Sequence, residues 1–291
     1  MSYRVQFDFE IGFSNGGGIQ GRDFRLDIDA ADIGDRDLAD YLVADLRLLM
    51  VESVSIRNKR IIAEPHKRGP GRASAYIDLS HTIENGTLTH RGLPGPLICD
   101  YLTREASRTR YAPGYEFQIA RVDMVVNTGT YIDCPFHRFA DGKDWSQMPI
   151  DSCADLDTVV VRAAPGELAV GIEHFRGLSL RGRAVLVHTG WDRHWGTPDY
   201  FGAHPFVTEQ AAHYLRDSGT RLVGIDSMNI DDTRDGARPV HTTLLGAGIL
   251  IVEHLCNLAA VPDAGFSFTA LPPKFRGVGT FPVRAMARLR D

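Results

Sequence analysis

Residues 125–137 read Val125-Val-Asn-Thr-Gly-Thr-Tyr-Ile-Asp-Cys-Pro-Phe-His137. Within them, Asn127, Tyr131, Asp133 and His137 are separated by four, two and four positions. Every separation is even, so in an extended strand, whose side chains alternate between two faces, all four project from one face. An Asp and a His gathered on one face beside Gly129 and Pro135 suit a metal or acid–base site. Cys134 points the opposite way in the same strand, which separates its thiol from Asp133 and His137.

Upstream, residues 118–126 are a strand candidate that leads into this stretch. Downstream, residues 158–162 and 184–188 are short apolar strands. Thr208 suits the N-cap of a helix running to about Asp217, and Gly219 suits its C-terminal stop. Residues 222–226 return as a buried strand, so 184–226 reads as strand, helix, strand in a parallel crossover. Ligands of such sheets gather beyond the carboxyl ends of the strands, where His188-Thr-Gly-Trp191 and Asp226-Ser-Met-Asn229 lie. Asp226 there suits either orienting a ligand histidine or capping a loop. His188 and His204 are pocket candidates, and Trp145, Trp191 and Trp195 are candidates for an aromatic pocket wall or for the core.

Before this domain lies a smaller unit. Residues 3–10 and 24–28 alternate like strands around Asn15-Gly-Gly-Gly18, a turn composition. Leu38, Leu42, Leu46 and Leu49 follow helical spacing, with Asp35 or Asp37 available as N-cap. That stripe needs an apolar partner, expected to be the main domain. Residues 51–62 read as a further strand, and 64–72 (Glu-Pro-His-Lys-Arg-Gly-Pro-Gly-Arg) have linker composition. The expected division is a small α+β unit over 1–65 and a main domain over 73–291.

Composition excludes several function classes. Of 291 residues, 43% are hydrophobic and 24% charged, as in globular proteins, and the net charge of −5 offers no nucleic-acid footprint. No apolar run approaches the ~20 residues needed to span a bilayer, and the first residues lack a signal-peptide core. Cys99, Cys134, Cys153 and Cys256 are dispersed without a CxxC pair, which fits reduced thiols and a cytoplasmic location.

A second segment carries chemistry: His241-Thr-Thr-Leu-Leu-Gly-Ala-Gly-Ile-Leu-Ile-Val-Glu253. Residues 249–252 form a buried strand ended by Glu253. A carboxylate there must be protonated, ion-paired, hydrogen-bonded or metal-bound.

Taken together, the segments resemble the cyclase / bacterial kynurenine formamidase family, which includes the isatin hydrolases. The resemblance covers residues 76–285 and rests on Ile77-Asp-Leu-Ser-His81, Thr128-Gly-Thr130, Asp133, Pro135, His137, Thr189-Gly-Trp191, Gly224-Ile-Asp226, His241 and Glu253. It implies an α/β fold: a mixed sheet flanked by helices, of the swivelling β/β/α type, here with a small N-terminal ββαβ unit. It also implies homodimers or higher homo-oligomers. The family pattern is His-x-Gly-Thr-His-x-Asp-x-Pro-x-His with a later His and, twelve residues on, a Glu. Its first two histidines and Asp hold a divalent ion, the later His and Glu complete a second site, and the last motif His transfers protons.

Asn127 and Tyr131 stand where that pattern has the first two histidines. A carboxamide oxygen is a weak transition-metal ligand and a neutral phenol weaker still. The resemblance therefore implies one ion, zinc or manganese, on Asp133, His241 and Glu253. His137 moves the proton, and Asn127 and Tyr131 contact substrate or water. The implied activity is metal-dependent cleavage of a C–N bond in a small amide, formamide or lactam. A different reading stays open: a metal-free relative that binds a small molecule, or that cyclises or eliminates by proton transfer through His137 and Tyr131.

Overall fold

The computed structural model describes residues 2–28, 31–64 and 75–290. The expected linker over 64–72 lies, apart from Glu64, outside them. The chain divides into two compact units at Ser74–Ala75.

The first unit runs β1 (Ser2–Phe13), β2 (Gly18–Ile28), α1 (Asp35–Asp45) and β3 (Val51–Glu64), in an antiparallel sheet of order β2-β1-β3. Val5, Phe7, Phe9 and Ile11 alternate along β1 and are buried with Leu26 and Ile28. Leu38 and Leu42 of α1 join that same cluster. Leu38 and Leu42 of the helix stripe thus find apolar partners within their own unit, where the expectation had the stripe partnered by the main domain. Burying each such leucine contributes about 1.5–3 kcal/mol. Gly34, not an aspartate, occupies the N-cap. Asp35 and Asp37 lie in the first turn, where negative charge is favoured. The helix stops at Asp45, and left-handed Arg47 and Met50 turn the chain away, so Leu49 is 81% exposed.

The second unit begins with β4 (Tyr76–Asp78), β5 (Leu97–Leu102), α2 (Arg104–Ser107), β6 (Ile119–Asp123) and β7 (Tyr131–Asp133). It continues through β8 (Leu156–Arg162), β9 (Ala169–Val170), β10 (Ala184–His188), β11 (Phe206–Val207), α3 (Glu209–Asp217) and β12 (Leu222–Ile225). The chain ends with α4 (Pro239–Gly246), β13 (Leu250–Glu253), β14 (Ala264–Thr269), β15 (Thr280–Pro282) and β16 (Met286–Leu289). Nine strands form one mixed sheet of order β15-β7-β13-β12-β10-β8-β14-β16-β4. Its centre, β8, β10, β12 and β13, is parallel, and the strands on both sides run antiparallel.

Parallel strands covered on both faces read as near-continuous apolar runs, and the centres of these strands supply them. Val159, Val161, Val185, Val187, Val223, Ile225 and Ile251 meet α3 and α4 on one face. Val160, Ala184, Leu186, Leu222, Leu250 and Val252 pack on the other face with Ile132, Phe266 and Phe268. The Thr208 hydroxyl caps α3 by accepting from Ala211 N–H, and Gly219 leaves the helix with φ +76°. Among the described residues, no helix is long and apolar enough to cross a membrane.

Candidate active site

Of the 125–137 stretch, only Tyr131–Asp133 is strand. Gly129 breaks the extension with φ +67°, and a Cβ there would run into the Ile83 side chain. Pro135–His137 then form a single 3-10 turn. Asn127 and His137 therefore reach the face of Tyr131 and Asp133 through bends, not through the strand alternation expected from their spacing.

Strand pairing supplies the rest. Glu253 lies opposite Tyr131, while Ile251 and Thr280 lie opposite Asp133. Directly paired residues share a face, so Tyr131, Asp133, Glu253 and Thr280 all project toward the α4 side of the sheet. His241 comes down from α4 between the two carboxylates. Its Nε2 lies 3.7 Å from Asp133 Oδ2 and 3.7 Å from Glu253 Oε1. His137 Nδ1 lies 3.8 Å from Asp133 Oδ1, and ligand atoms of Asp133, His137 and His241 fall within 4.8 Å of one another. His137, His241, Glu253, Tyr131 and Asn127 line one cavity of about 370 Å³. Three larger depressions, of about 570, 680 and 880 Å³, reach none of these residues.

Hydrogen bonds fix the orientation of each group. Asp231 Oδ2 accepts from His241 Nδ1 at 2.6 Å, which turns Nε2 toward Asp133 and Glu253. The same Asp231 carboxylate accepts from Val240 N–H at 2.7 Å and His241 N–H at 3.0 Å. It thereby satisfies free donors in the first turn of α4, where Arg238 makes no side-chain cap. One aspartate both anchors the helix and aims the imidazole. The Thr280 hydroxyl donates to Asp133 Oδ1 and lies 2.8 Å from His137 Nδ1. With its only proton committed to Asp133, Thr280 accepts from His137 Nδ1–H, so the lone pair of His137 is on Nε2. Gly279 makes this approach possible, because a Cβ there would overlap the His137 backbone.

Tyr131 donates to Glu253 Oε2 at 2.6 Å, and His90 Nε2 lies 2.8 Å from the phenolic oxygen. Burial, reinforced by the charges of Glu253 and Asp133, drives the phenol pKa well above its usual value, so the hydroxyl keeps its proton. Burial also pushes His90 down to about 4, and as a neutral imidazole it donates to Tyr131. Glu253 Oε1 accepts from Ile230 N–H at 2.7 Å, and burial raises its pKa. Burial opposes charge on His241 as well, but Glu253, Asp133 and Asp231 outweigh it and hold the imidazole pKa above its ordinary value. The pocket floor thus calls for positive charge.

A divalent ion fits this donor set. Asp133 Oδ2 is buried with no hydrogen-bond partner among the described residues, although it faces His241 Nε2. Ligand atoms around a tetrahedral ion with 2.0–2.2 Å bonds lie roughly 3.3–3.6 Å apart, close to the two 3.7 Å spacings from His241 Nε2, although the group whose ligand atoms all lie within 4.8 Å of one another is Asp133, His137 and His241, with Glu253 beside His241. The Asp231–His241 pair matches the carboxylate–histidine arrangement that orients metal-bound imidazoles.

Other sequence candidates fall elsewhere. Cys134 is buried in the core on the opposite face, its thiol pushed up to about 12 by burial. Asp226 orients no ligand histidine; it accepts from Thr189 N–H, Thr189 Oγ1 and Gly190 N–H and so holds the loop after β10. His188 lies 2.8 Å from Arg162, and His204 meets Pro205, Ser227 and Thr233. Trp145 is in the core, Trp191 donates to Tyr200 O, and Trp195 stacks on His81. None of the three tryptophans lines the cavity.

Sequence reading missed His90, Asp231 and Thr280. Thr280 carries no local signal, because only sheet pairing places it. Asp231 had one: an aspartate ten residues before His241, just beyond a strand end where ligands gather.

Comparison with known proteins gives the family and the fold. The family described as "Putative cyclase" matches residues 77–232. The kynurenine formamidase of Bacillus cytotoxicus is 30% identical over 225 residues, covering 75% of this chain and 99% of that protein. The kynurenine formamidase of Geobacillus thermodenitrificans is 30% identical over 215 residues, covering 73% and 97%. A solved structure described as a potential metal-dependent hydrolase with cyclase activity superposes with TM-score 0.61 at 26% identity, covering 74% of this chain and 98% of the other. Isatin hydrolase A from Labrenzia aggregata gives TM-score 0.64 at 20% identity, covering 74% and 94%, a likeness of fold.

Proposed function

The chain belongs to the cyclase family, and from that premise we propose that it is a hydrolase using one divalent ion to cleave a C–N bond of a small amide, formamide or lactam. The observation that carries the reading is the buried, unpartnered Asp133 Oδ2 facing His241 Nε2 beside Glu253. Asp133, His241 and Glu253 would hold the ion. When bound, it supplies Lewis-acid polarisation of the carbonyl and lowers the pKa of water.

The chain's own groups do the rest. His137, half open to the cavity and steered by Thr280, presents Nε2 to take a proton from the attacking water. The same nitrogen then returns that proton to the departing amine. Tyr131 has given its only proton to Glu253, so it fixes that carboxylate and offers substrate an acceptor but no donor. Asn127, on the same wall, offers the missing donor through its carboxamide.

The test is direct. Metal-loaded protein should release formate and the free amine from an aryl formamide, or open an aryl lactam, followed by product absorbance. If a panel of formamides, amides and lactams is left intact while a substrate is cyclised or eliminated, the hydrolase reading is wrong.

A further inference from the structure

We propose that the mouth of this cavity is a carboxylate-binding subsite, with Arg238 as its chief determinant, so that the preferred substrate carries an anionic group remote from the scissile amide. This deepens the hydrolase reading and rests on it.

The cavity is electrically divided. Its floor holds Glu253 and His241, with Asp133 and Asp231 buried behind them, whereas Arg138 and Arg238 line its wall. Neither guanidinium pairs with a carboxylate among the described residues. Arg138 donates to Thr242 Oγ1 at 3.2 Å and Ala237 O at 2.9 Å. Arg238 makes one long contact, 3.4 Å from Nη1 to Asn229 Oδ1. It is half-buried, yet its five donors are nearly idle. Elsewhere in the chain, an arginine of the same burial class holds a carboxylate, as Arg183 holds Asp157.

The backbone adds a second, independent observation. Arg238 is left-handed, with φ 49° and ψ 61°, although it is not glycine and precedes Pro239. Both features disfavour that conformation. Strain of this kind persists where the surrounding structure imposes it, and it gathers at ligand sites. Here it sets Arg238 on the cavity wall, where its charge opposes protonation of His90 and His204.

A guanidinium matches a carboxylate in planar, two-pronged geometry. Two arginines suit one such monoanion better than a phosphate, whose extra charge and oxygens call for further donors. The cavity of about 370 Å³ suits a small molecule reaching from floor to rim.

The experiment uses two aryl formamides that differ only in a ring carboxylate against a neutral carboxamide. The full-length metal-loaded protein should prefer the anionic member. Arg238→Gln should lower the ratio of kcat/KM for anionic over neutral substrate by roughly 10–100-fold, the usual size of a lost charged hydrogen bond. Arg238→Lys should restore part of the ratio. Calorimetric binding of benzoate, with benzamide as neutral control, reads the subsite independently of turnover. Arg238→Gln should weaken benzoate alone. If neither formamide is cleaved but benzoate binding depends on Arg238, the subsite stands and the hydrolase reading fails. An unselective wild type that binds benzoate no better than benzamide, or a glutamine variant with undiminished preference, overturns the subsite.

Discussion

The His137→Ala variant is expected to lose roughly 10²–10⁴-fold in kcat, the usual worth of a positioned acid–base group, while keeping its ion. The two effects separate because of where the imidazole sits. Its Nδ1–H is spent on Thr280, its Nε2 faces the cavity, and its side chain is 35% exposed, so its removal leaves no buried charge unpaired. Asp133, His241 and Glu253 stay in place on β7, α4 and β13. Single-turnover kinetics with metal analysis of the same sample checks this. A variant that loses its ion along with its activity would make His137 a ligand instead.

Asp133→Asn should have the larger effect, with loss of stoichiometric metal and activity falling to background. The substitution keeps the shape but removes the charge that faces His241 Nε2. Breaking a buried charge set in this way is costly for binding and for stability together. The thermal midpoint should therefore be compared with that of metal-stripped wild type. A variant that binds the ion normally would remove Asp133 from the site.

Where one interaction decides, the sequence is a good guide. The apolar runs of β8, β10, β12 and β13 are legible because a parallel strand covered on both faces reads as a near-continuous apolar run. The cap of α3 is legible because Thr208 and its helix are adjacent in the chain. The four residues Asp133, His137, His241 and Glu253, split by a hundred positions, meet in one pocket, and their family pattern pointed to that meeting. What stayed hidden depended on pairing across the sheet. Thr280 reaches the site from β15, and nothing in its own neighbourhood marks it, whereas Asp231, in the loop before α4, had its place just beyond a strand end as a signal. The strand alternation proposed for 127–137 failed at Gly129 and Pro135, both of which break extended structure. In the first unit, the leucine stripe extrapolated too far because left-handed Arg47 ends the helix before Leu49.

Tyr131 gives the site its individual character. In place of an imidazole ligand, the chain puts a neutral phenol that bridges His90 and Glu253. On the proposed reading, the bridge would leave Asp133, His241 and Glu253 to hold one ion with an open position.

The most direct measurement is therefore metal stoichiometry on protein purified without chelator or added metal, by elemental mass spectrometry paired with activity. One zinc or manganese ion per chain is predicted, removed by EDTA together with activity and restored with it on re-addition. Protein that carries no stoichiometric metal yet stays fully active in excess EDTA, or that binds two ions per chain, would contradict the account.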